Sequence, residues 1–187
     1  MGNKMIIGKQ TQELKLGYAV NVNQNDVRRF TAYAGDVPVK DIPFGDILIL
    51  GGATKVYKSA SNEDVATVTA ESQVVGVALS TNVKLNTFFP VGTSTAGNAG
   101  FYTGGDDGNN LIKGEVAVQY FGAAPAENGI VYIITDTTVS GEPTRLGKLT
   151  GTTALDGDTT VALTKFSWSG ITEASEGLSV VKLDLQS

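Results

Sequence analysis

The stretch Gly141-Glu142-Pro143-Thr144-Arg145-Leu146-Gly147-Lys148-Leu149-Thr150 has the outline of a phosphate-binding loop. Such a loop needs four residues between its glycines and a Ser or Thr directly after the lysine to reach magnesium. Here five residues separate the glycines and Leu149 follows the lysine, so the segment reads as a connection between strands. Asp106-Asp107 with Asn109-Asn110, and Asp156 with Asp158, gather side-chain oxygens of the kind calcium takes. They lack the terminal glutamate and flanking helices of an EF-hand, and Asp, Asn and Gly are what tight reversals use in any case. Glu173 and Glu176 offer two carboxylates for glycoside hydrolysis, but opposition across a cleft does not follow from spacing. Both fall in residues 169–177, which read as a solvated connection. Trp168, Tyr102 and Tyr120 are the available aromatic platforms for a carbohydrate, although a lone Trp with Phe166 nearby more often anchors a core.

The missing residue types narrow the field further. Among 187 residues there is no cysteine and no histidine. Disulfides, thiolate metal sites, Cys-His and Ser-His nucleophiles and ordinary zinc sites are therefore excluded by composition. No metal or cofactor is expected, and the chain does not read as an enzyme. Fourteen basic against nineteen acidic residues leave a formal charge of −5. A duplex-binding protein usually carries a basic face, and Arg28-Arg29-Phe30 with Tyr33 is too short a basic cluster to make one. Nucleic acid is not an expected partner. No apolar run approaches the roughly 20 residues that cross a bilayer. The start lacks the apolar stretch of a secretory signal, and Ile6 stands where myristoylation needs Ser or Thr. A soluble protein made in the cytoplasm is the expectation, with no membrane partner.

The elements that would position these residues are short strands. Glycine is abundant, at 23 residues, and supplies reversals. Phe44-Gly45-Asp46 leads into Ile47-Leu48-Ile49-Leu50 and stops at Gly51-Gly52, a buried strand ended by a turn. In Val74-Val75-Gly76-Val77-Ala78-Leu79 the internal glycine predicts a bulge. Residues 104–110 are composed for a tight reversal, and after Gly114 the side chains Val116, Val118 and Tyr120 alternate with Glu115, Ala117 and Gln119. Asn128-Gly129 introduces Ile130 to Ile134, Asp156-Gly157-Asp158 precedes Val161 to Leu163, and Glu176-Gly177 precedes an alternating run with Val181, Leu183 and Leu185. Residues 25–35 fit either a short helix from Asn25-Asp26 to Gly35 or a strand with Arg28, Phe30 and Ala32 on one side. The fold class is all-β, a short-stranded barrel or sandwich with an extended N-terminal arm. Residues 1–43, polar with apolar islands at Met5-Ile6-Ile7 and Tyr18-Ala19-Val20, form the arm; residues 44–187 form the β-domain, with its core reaching to about 150 and C-terminal strands over 151–187. On this division, residues 1–24 are dispensable for folding.

The segment from Phe44 to Leu50, the Val74 to Leu79 run, Gly114-Glu115-Val116-Ala117-Val118 and Gly129-Ile130-Val131-Tyr132-Ile133 resemble the capsid decoration, or structural cement, proteins of tailed bacteriophages. The resemblance covers about Phe44 to Lys148. It implies a virion protein on the outer capsid surface, made in the host cytoplasm, often a small homo-oligomer such as a dimer or trimer. Its partner would be the major capsid protein, whose neighbouring subunits it would bridge. Met5, Ile6, Ile7, Arg28, Arg29, Phe30 and Tyr33 are the expected partner-contacting residues. A tail or baseplate component and a carbohydrate-binding β-module are the alternatives.

Overall fold

In a computed structural model of the chain, the described residues are 5–7, 10–12, 14–20, 25–38, 40–62, 68, 70–80, 100–137, 145–153 and 157–186. They are almost entirely strand and turn. β1 (Met5–Ile7) and β2 (Gln10–Gln12) form a hairpin that is a two-stranded sheet of its own. There follow β3 (Asp26–Ala32), β4 (Ile42–Pro43), β5 (Ile47–Leu50), β6 (Val56–Ser59) and β7 (Val74–Ala78). The later strands are β8 (Phe101–Tyr102), β9 (Asp107–Phe121), β10 (Ile130–Thr137), β11 (Leu149–Thr150), β12 (Asp158–Glu173) and β13 (Leu178–Asp184). β4 pairs with β8. The other nine run β11-β10-β12-β13-β9-β3-β6-β5-β7 in one sheet.

That sheet closes on itself twice, because both of its outer strands also pair with β9. β9 is 15 residues long and serves two rings with its two halves. Its first half lies between β3 and β7, with Leu111 opposite both Val27 and Val77. Its second half lies between β13 and β11, with Tyr120 opposite Leu149. A barrel thus forms at each end of one strand, and closure removes most of the open edges that short strands would otherwise expose.

The alternation read after Gly114 is present: Val116, Val118 and Tyr120 join Val131, Ile133, Leu149, Leu163, Phe166, Trp168, Val181 and Leu183 in the main core. Ile47, Ile49 and Val77 of the smaller ring pack into the same core, whereas Leu48, on the opposite face of β5, joins a second cluster. Gly76 sits at a register shift in the β5–β7 ladder, the bulge expected there. Two expectations are corrected. Residues 107–110 are not a reversal but the start of β9, since the turn is completed by Asp106, whose backbone N–H donates to Thr103. Residues 169–173 are not a solvated connection but the end of β12, and Glu173 is buried there.

Residues 14–20 lie along the open edge of β9. The Gly17 and Val20 N–H groups donate to Ala117 and Glu115, at 2.9 and 2.8 Å. Leu14 and Val20 are buried with Ala117, Leu178 and Val180, covering the side of β9 and β13 that faces away from the main core. Gly17 has a positive φ, and a Cβ there would meet Phe44 at 2.8 Å, so only glycine lets the segment lie this close. Residues 14–20 and β3 are therefore built into the body, whereas β1 and β2 pair with each other in a sheet apart.

Candidate partner-binding surface

β3 resolves the choice between helix and strand. Its residues run extended against β9, from Val27 opposite Leu111 to Thr31 opposite Asp107. On its other edge, β6 pairs only with Thr31 and Ala32. From Thr31 onward the strand is enclosed; before it, the strand has a neighbour on the β9 side alone among the described residues. Exposure follows this geometry. Val27, Arg28 and Arg29 are exposed and Phe30 is buried.

Phe30 is spent on packing within the chain. Its ring stacks on Tyr57 at 5.4 Å and meets Tyr102 edge-on at 5.4 Å, and Tyr102 meets Phe44 at 5.1 Å. The fully buried Tyr102 hydroxyl donates to the Leu79 carbonyl at 2.6 Å and accepts the Asn109 N–H at 3.2 Å. Aromatic contacts of this sort add about 0.5–1.5 kcal/mol each beyond the area they bury. Tyr33 is half-buried, with the Lys58 ammonium 5.8 Å from its ring centre. Of the expected contact residues, Arg28 and Arg29 are thus brought together at the surface, Tyr33 lies beside them in sequence under Lys58, and Phe30 faces inward. The backbone of Met5, Ile6 and Ile7 forms β1, and their side chains lie outside the described residues.

Several readings of chemistry fail on burial. Trp168 and Tyr102 are completely buried and Tyr120 nearly so; the Trp168 indole N–H donates to Ile130 O. None can offer a face to a sugar ring. Lys148 of the loop that outlined a phosphate site is instead paired with Asp46. Asp106 accepts the Thr103 N–H, Asp107 accepts the Thr31 hydroxyl, and the Asn110 amide donates to Val75 O, so these side chains serve the turn and the strands around it.

Sequence reasoning missed the polar cluster that joins the two rings. Asp46 is 5% exposed, and its carboxylate accepts from Lys148 Nζ on one oxygen. Its other oxygen accepts from the Ser59 hydroxyl at 2.6 Å and from the Ser61 hydroxyl. Asp46 and the serines belong to the β5–β6 region, whereas Lys148 immediately precedes β11 of the larger ring. Gly147 lets the two approach: its φ is +72°, and a Cβ there would overlap the backbone of Ala60 and Ser61. The only sequence signal was an acidic residue set directly against a buried apolar run, which also fits a turn.

The completed geometry can be compared with known proteins. No protein-family profile matches the chain, and no curated protein matches it in sequence. Among solved structures, a chain from the capsid of Myoviridae phage XM1 has the same fold, with a TM-score of 0.61. The match covers 95% of this chain and 94% of that one at 16% identity. The likeness therefore runs from end to end and includes both rings, although few side chains are shared.

Proposed function

We propose that this chain is a non-catalytic structural component of a phage virion, attached to the outer surface of the capsid, where it bridges neighbouring major capsid subunits. The observation that carries this reading is the end-to-end fold likeness to a chain of a phage capsid. Burial of the aromatic side chains that could have served a sugar supports it over a carbohydrate-binding module. So does an exposed Arg28-Arg29 pair on a strand edge, since arginine is enriched at protein interfaces and strand edges accept partners through main-chain hydrogen bonds. In such a role the internal pressure of packaged DNA is opposed by binding free energy across subunit joints. Many copies acting on linked sites make modest individual contacts sufficient.

Heads assembled without the chain and then mixed with the purified protein should gain density on their outer surface at subunit joints in electron cryomicroscopy. Rings or tubes formed by the protein alone, with bare heads left unchanged, would instead favour a tail or baseplate component.

A further inference from the structure

Side chains of consecutive strand residues point to opposite faces. Arg28 lies on the Phe30 side of β3 and Arg29 on the Thr31 side, within a stretch of regular pairing from Val27 to Thr31. Both are exposed, as is Val27, 45% of whose surface is open. With β6 joining only at Thr31, this part of β3 is a ledge, open on both faces and along one edge among the described residues. The chain carries a net charge of −5, and four of its placed cations find carboxylates: Lys113 with Asp184, Arg145 with Asp158, Lys148 with Asp46 and Lys182 with Glu115. Among the described residues, neither Arg28 nor Arg29 has an ion pair or side-chain hydrogen bond. A planar guanidinium matches a carboxylate with two parallel hydrogen bonds, so each face of the ledge is suited to an acidic surface.

Building on the capsid reading above, we propose that the ledge at residues 27–29 is gripped on both faces, Arg28 meeting a carboxylate-bearing surface of one shell subunit and Arg29 that of its neighbour. One strand then spans a subunit joint, and bridging needs no second copy of the chain. Each arginine is a separate half of the clamp.

The test uses heads of the parent phage assembled without the chain, with the wild-type protein, Arg28→Glu, Arg29→Glu and the double variant, all checked for an unchanged melting temperature. Each single reversal should weaken attachment about tenfold or more, and the double variant should not attach. Photo-crosslinking side chains placed at 28 and at 29 should label two different surfaces of the shell protein. If one reversal is silent, or both positions label the same surface, the two-faced clamp is wrong while the capsid reading stands. If the wild-type protein itself fails to attach, the capsid reading falls and the clamp with it.

Discussion

The two ends of β9 are stabilised by different means. Around its second half, the larger ring is filled mostly by branched aliphatic side chains, with Tyr120, Phe166 and the fully buried Trp168 among them. Around its first half, the smaller cluster is organised about Tyr102, whose ring meets both Phe30 and Phe44 and whose buried hydroxyl is hydrogen-bonded to Leu79 and Asn109. An aliphatic core gains mainly from removing apolar area from water, whereas the aromatic and polar cluster depends on particular orientations and satisfied donors. The larger ring therefore acts as the anchor, and the smaller ring is a shaped mount holding β3 so that its first half stays exposed. The Asp46–Lys148 pair ties the mount to the anchor.

This contrast can be broken experimentally. Trp168→Ala, at the centre of the larger ring, should cost about 3–5 kcal/mol in denaturant unfolding, because the side chain leaves a large cavity. The loss should appear in probes of both rings, since Ile47, Ile49 and Val77 share that core; a transition confined to one ring would refute the coupling. Lys148→Ala should cost about as much, roughly 3–5 kcal/mol, by leaving the Asp46 carboxylate buried without its cation. The double variant Asp46→Asn with Lys148→Met should lose less than the sum of its single changes, which a double-mutant cycle would measure. Leu14→Ala should cost about 2–3 kcal/mol by opening the cluster on the far side of β9 and β13. Removing residues 1–12, by contrast, should leave thermal stability nearly unchanged while weakening attachment to heads. The smallest stability effects belong to Arg28→Glu and Arg29→Glu, expected within about 0.5 kcal/mol of wild type because both residues are exposed and unpaired. Their consequence should be seen only in binding.

What the sequence revealed follows from which signals are local. Strand identity was legible at β5, β7, β10 and β13, because a run bounded by glycine or an alternating pattern records its own burial. The pairing of Val116, Val118 and Tyr120 on one face was legible for the same reason. The double closure of the sheet was not, because it depends on β9 meeting the outer strands β7 and β11 as well as β3 and β13, which no local pattern encodes. That Phe30 faces inward was not legible for a related reason. Its exposure is set by where β6 joins β3, at Thr31, directly after it. Glu173 was misjudged because Gly and Ser around it imitate a loop, while the strand passes through them. Of the candidate site, the arginine pair was legible from its type and isolation, and the open ledge that gives it two faces was not.

One feature of β9 also bears on how the chain is made. Its first half can pair with β3 and β7 as soon as residues 107–113 have been synthesised, and β5 and β6, which complete that ring, also precede it. Its second half must wait for β13, more than fifty residues later in the chain. During translation the mount can thus assemble while one edge of the second half of β9 still lacks its strand, and the late strand both completes the anchor and ends the interval in which that edge could recruit the wrong neighbour.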